Sequence, residues 1–193
     1  MRIKTILRLL SLFLFTSCAT RPPTYVELSD NDPANLIAMQ DSLILAEPEN
    51  VELLAVLSQA HVKIALDAMA NDDVAGAMES FNSSLKLNKN NKIANYHFAL
   101  QSGHKYLKKG SRMALWDAIE QYSRAGRFIL GEGEPFYWIG RAYEKKDDQD
   151  FDLIVESFDK AITLGLPNEL RIDCLMRREA VLKRKRVFEE FWR

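Results

Sequence analysis

The chain has 193 residues, enough for one domain or two small ones with a sizeable buried core. Hydrophobic residues make up 47% and charged residues 27%, which excludes a wholly disordered chain, and 8 Gly with 6 Pro exclude collagen-like or linker-like ones. Against 27 acidic residues stand 26 basic ones, a net charge of −1 that gives no sign of a nucleic-acid partner, and two Cys cannot make a disulfide scaffold.

The first residues read as an address. Arg2, Lys4 and Arg8 form a positive start, Leu9 to Phe15 an apolar run interrupted only by Ser11, and Thr16, Ser17 and Cys18 follow. This is the layout of a secretory signal peptide over 1–17, and the apolar run is short for a transmembrane helix. The ending Phe15, Thr16, Ser17, Cys18 resembles the lipobox of bacterial lipoproteins, although that family usually has Leu where Phe15 stands. The resemblance implies cleavage before Cys18, a lipid on its thiol and a bacterial envelope location. Ala19 after the Cys points to the outer membrane, facing the periplasm. Export excludes nucleic acid as a partner, and cleavage removes three bases and no acid, leaving a net acidic chain.

Residues 18–32 contain Pro22 and Pro23, show no sustained helical period and read as an extended tether. Asp32 followed by Pro33 is an N-cap and N1 pair, so a helix is expected from there to about Ala46. Polar breaks then recur at 47–50, 71–73, 88–91, 110–112, 131–134, 147–150 and 165–168. They divide 33–193 into eight helical stretches, and no stretch shows the period-2 alternation of a strand. The last stretch, capped by Asn168, carries Leu170, Ile172, Leu175, Met176, Val181, Phe188 and Phe191 for burial. Its basic run 183–186 reads as a solvated face. Cys174, on the same helix, reads as a buried small hydrophobe.

The stretches repeat in pairs. On the second helix of each pair, Ala77 and Phe81 align with Ala118 and Tyr122, and with Ile154 and Phe158. On the first, Gly103 and Tyr106 align with Gly140 and Tyr143. A small residue lets two helix backbones approach, and an aromatic fills the remaining gap. These residues resemble the tetratricopeptide repeat (TPR) family. The departures are the spacings of 41 and 36 between Phe81, Tyr122 and Phe158, against 34 in that family. Ala65 and Ala68 also match the small and aromatic positions poorly. The resemblance implies an all-α, right-handed TPR-like solenoid over 33–193. It would hold about three helix pairs (51–91, 92–130 and 134–166), a leading helix and a C-terminal capping helix. An unrelated helical bundle is the alternative. The segment 46–65 also resembles the lipoproteins that accompany periplasmic TRAP transporters.

Motifs for catalysis or metal binding are weak. His97 and His104 are seven apart, about 10.5 Å along a helix, too far to share one metal without other ligands. Asp148, Asp150 and Asp152 have calcium-loop spacing, but Leu153 replaces the turn Gly, so these acids read as caps for the next helix. Gly131 and Gly133 follow a helix and lack the third Gly of a nucleotide loop. A non-enzyme with no cofactor and no metal is expected.

The TPR resemblance implies a scaffold that holds an envelope protein or peptide segment on the concave face of the first helices. Alternatives are a TRAP-type or small-molecule-binding lipoprotein, which calls for a closed pocket, and an oligomeric structural envelope protein. The oligomeric state stays open. The same resemblance puts His97, Leu100, His104, Leu107 and Lys108 on the groove from one repeat, and Tyr137, Arg141, Glu144 and Lys145 from the next. Lys108, Arg141 and Lys145 outnumber Glu144 there, which points to a partner segment carrying carboxylates, with Tyr137 and Leu107 as apolar anchors.

Overall fold

The computed structural model of the chain describes residues 23–147 and 149–192. The expected signal peptide and Cys18 lie outside these residues, as do Asp148 and residues 19–22 of the expected tether. Among the described residues ten helices follow in order: α1 Tyr25–Asn31, α2 Pro33–Ala38, α3 Gln40–Ala46, α4 Val51–Ala70, α5 Val74–Leu87, α6 Lys92–Lys109, α7 Arg112–Phe128, α8 Glu134–Lys146, α9 Phe151–Leu164 and α10 Asn168–Phe191. No strand occurs among the described residues.

The architecture is that of a TPR-like solenoid. From α4 onward each helix packs on its chain neighbours, and α10 closes over α9 and touches α8. The helices start where short polar side chains accept orphan backbone N–H groups: Asp32, Asn50, Asp73, Asn91 and Ser111 each cap the helix that follows.

The aligned glycines and aromatics interlock. A Cβ on Gly103 would lie 2.4 Å from the Tyr122 ring, and one on Gly140 would lie 2.5 Å from the Phe158 ring. Both rings are buried. In the first pair, Ala65 and Phe81 share a buried cluster with Val62, Ala77 and Ala94. Ala65 therefore serves where glycine serves in the later pairs. The C-terminal core joins Tyr137, Ile154 and Phe158 to Cys174 and Val181 of α10, so the last helix does cap the last pair. Burial pushes the Cys174 thiol up to about 11, with Asp173 and Asp159 adding to the rise. By length and composition α4 could cross a membrane. Here its Leu53, Leu57 and Ala60 form the N-terminal core with Leu36 of α2.

Four expectations need correction. Residues 25–31 of the expected tether are helical. Thr24 caps α1 in a reciprocal box with Glu27, and α1 packs on α4. The leading helix is split at Met39 into α2 and α3. Asn168 is not the cap of α10, which begins at that residue with Pro167 in the cap position and no side-chain bond. Asp150 stands at the cap position of α9, but its carboxylate pairs with Lys146 instead of the backbone. The 131–133 loop has a packing role. The Gly133 N–H donates to Gly165 O at 3.1 Å, and a Cβ there would lie 2.2 Å from that oxygen.

Gly140→Ala should therefore cost about 1–3 kcal/mol, because the Phe158 ring has to move. Urea titration of Gly140→Ala, Phe158→Leu and the double variant checks this. The two losses should fail to add by about 1 kcal/mol, the smaller Leu leaving room for the new methyl.

Candidate partner-docking cleft

α6 and α8 are the first helices of two successive pairs, and α10 runs past them. Between the three lies an open cleft of about 680 Å³, lined by His104, Leu107, Lys108, Trp138, Arg141, Glu144, Lys145 and Arg177. Six of the nine expected groove residues are in it: His104, Leu107, Lys108, Arg141, Glu144 and Lys145. His104 and Arg141 each follow an interlocking glycine by one residue, so the packing that buries Gly103 and Gly140 turns their neighbours toward the opening.

The other three expected residues belong to the packing. Leu100 is 4% exposed within the core of α6, α7 and α8. His97 stacks on Phe81 with ring centroids 5.0 Å apart, on the side of the preceding pair. Tyr137 is 2% exposed, and its hydroxyl donates to Asp173 Oδ2 at 2.6 Å while accepting from Arg141 at 2.8 Å. The expected apolar anchor for a partner is thus an internal strut. Residue counting on α8 did not reveal this, because the covering residue comes from α10. Trp138 supplies the apolar wall instead.

One end of the cleft floor is aromatic. His104 Nδ1 and the Tyr122 hydroxyl share a hydrogen bond of 2.9 Å, and the Trp138 ring stands edge-on to His104 at 4.6 Å. The Trp138 indole N–H donates to Glu134 Oε1 at 3.1 Å. Burial lowers the His104 pKa to about 4, so the imidazole is neutral at physiological pH. Burial also raises the Glu134 carboxyl above its usual range, although the Trp138 bond opposes this.

The other end is an ion network. Glu144 accepts from Arg177 at 2.9 Å and Arg184 at 3.2 Å, with Arg141 at 3.9 Å. Asp173 lies 2.6 Å from Arg177 and 3.6 Å from Arg141. Burial works to raise the Asp173 pKa, but bonds from Tyr137 and Arg177 and the two guanidinium charges outweigh it and hold it below the usual range. Lys145 donates to Leu107 O at 3.0 Å, at the last turn of α6. Lys108 is exposed and makes no bond or ion pair. In the cleft lining Lys108, Arg141, Lys145 and Arg177 stand beside Glu144, and the lining is cationic. Sequence reasoning missed Trp138, Asp173, Arg177 and Arg184. No spacing within α6 or α8 points to the last three, which arrive on α10.

No protein-family model matches the sequence, and no curated protein matches it. Among solved structures, two of MamA are similar. One is 21% identical, covers 72% of this chain and 70% of that one, and has a TM-score of 0.39. The other is 17% identical, covers 88% of this chain and 99% of that one, and has a TM-score of 0.41. What makes the chain TPR-like is its succession of helix pairs and their small–aromatic interlocks.

The depressed His104 pKa predicts a pH effect on stability. The folded value lies below the unfolded one, about 6.5, so between them the unfolded chain binds more protons and stability falls as pH drops. From pH 8 to pH 5 the wild type should lose about 1–2 kcal/mol more than His104→Gln. His61 and His97 are lowered by burial as well, but they act alike in both proteins. Urea midpoints at the two pH values give the difference.

Proposed function

We propose that this chain is an adaptor that docks a carboxylate-bearing segment of a partner protein in the cleft between α6, α8 and α10. The observation that carries this reading is the cleft's charge on an otherwise near-neutral chain. Lys108, Arg141, Lys145 and Arg177 line it beside the apolar Leu107 and Trp138, with Glu144 as the one carboxylate in the lining. Cations beside an apolar wall suit a segment that alternates acidic and aliphatic side chains. A small-molecule or transport-associated lipoprotein would call for an enclosed pocket, and this cleft is open to solvent.

Labelled peptides alternating Glu with Leu, against matched peptides alternating Gln with Leu, test the reading. The Glu peptides should bind, and Lys108→Glu combined with Lys145→Glu should weaken binding about tenfold or more while leaving circular dichroism unchanged. Equal binding of the two peptide sets, or no loss in the variant, rules the cleft out.

We further propose that the adaptor works in the bacterial cell envelope, held by lipid on Cys18. The support is the charged start, short apolar run and small-residue ending before that Cys. Cys18→Ala should release the protein from the membrane fraction and abolish labelling by a fatty-acid probe. A variant that still labels and still sediments with membranes refutes the anchor.

A further inference from the structure

The two ends of the solenoid carry opposite charge. Residues 23–62 hold seven carboxylates and no Lys or Arg, whereas residues 177–186 hold six Lys or Arg and one Glu. These stretches lie at opposite ends of the helix stack. The acidic one builds α1, α2, α3 and the start of α4, which share no contact with α9 or α10 beyond an isolated approach.

Each end also exposes apolar side chains among its unpaired charges. Around the turn between α3 and α4, Leu45 is 85% and Val51 is 78% exposed. Beside them Asp41, Glu49 and Glu52 are exposed and make no ion pair or hydrogen bond. On α10, Ile172, Met176, Lys183 and Val187 recur at helical spacing along the side opposite the buried Cys174 and Val181. Lys183 and the neighbouring Arg186 are exposed and make no ion pair or hydrogen bond. Arg178 and Lys185 are already held by Asp159 and Asp152. The outer side also carries Glu179, paired with Arg178, and Glu190, which makes no ion pair, so the unpaired Lys183 and Arg186 outnumber the one unpaired carboxylate beside them.

We infer that copies of this chain associate head to tail, the acidic α3–α4 turn of one seating Leu45 and Val51 on the basic outer stripe of α10 of the next. The occupant is a second copy because this chain carries both halves of the match: apolar side chains set among free carboxylates at one end, and among free cations at the other. A heterologous contact leaves an unused acidic end and an unused basic end on every dimer, so association continues into a ring or filament. The inference is independent of the docking cleft, since none of the residues that line the cleft takes part.

The test uses the full chain in non-ionic detergent, with p-benzoylphenylalanine replacing Leu45 and an equal mixture of ¹⁴N and ¹⁵N protein. On irradiation, mass spectrometry should find mixed-isotope cross-links from position 45 to peptides of α10. The pair Glu49→Lys and Glu52→Lys should lower their yield about fivefold or more, as should the pair Lys183→Glu and Arg186→Glu. Mixing the two variant proteins should restore it, because the reversed ends match again. All four positions are exposed, and circular dichroism checks that each variant folds. Cross-links from position 45 to the same turn of another copy, or to detergent or lipid alone, overturn the inference. So does a yield that charge reversal leaves unchanged or that mixing fails to restore.

Discussion

Aromatic rings seated where a facing helix has no Cβ set the geometry of this chain. Tyr122 against Gly103 and Phe158 against Gly140 fix both the separation and the rotation of each helix pair, since a ring at that distance tolerates no slip. The consequence reaches the cleft directly. Rotation about α6 is locked with Gly103 inward, so His104 follows at the edge and Lys108 emerges about one turn later. The same lock on α8 sets Arg141, Glu144 and Lys145. Tyr122 serves both purposes at once, its ring packed on Gly103 and its hydroxyl bonded to His104.

Most of the helices were legible because their signals are local. Polar breaks and caps lie within a few residues of the ends they define, and the glycine–aromatic register recurs in two pairs. The misses follow the same logic. Helix α1 carried a readable Thr24 and Glu27 capping box, but Pro22 and Pro23 just before it suggested an extended chain. The split at Met39 has no Gly or Pro to announce it. Within the site, counting along α6 and α8 found the residues whose exposure those two helices decide alone. It failed at Tyr137, whose ring packs with Cys174 and Val181 and whose hydroxyl is held by Asp173, 36 residues further on. Long-range cover of this kind leaves no trace in a local period.

The capping helix is therefore part of the cleft as well as of the core. Val181 and Cys174 close the last pair, while Asp173, Arg177 and Arg184 on the same helix complete the ion network. The network sits between water and core, with the Glu144 side chain only 18% exposed. A carboxylate in that position needs cationic donors to offset its lost hydration, and planar guanidinium forks can share two carboxylates without moving. Arg141 and Arg177 are each held by both acids. The positive charge that faces the opening is thus positioned before any partner arrives, which lowers the entropic cost of docking.

Bulk composition conceals this arrangement. A net charge of −1 excludes a strong average field, yet the total hides an acidic leading segment over 23–62 and a basic closing helix. A globular fold would bring two such segments close enough to neutralise each other. A solenoid whose helices touch mainly their chain neighbours keeps them apart, so a separation in sequence becomes a separation in space. At an ionic strength of about 0.15 M the Debye length is about 8 Å, shorter than a single helix pair is wide. Each end and the cleft therefore present their own charge to whatever approaches, and the near-zero total describes none of them.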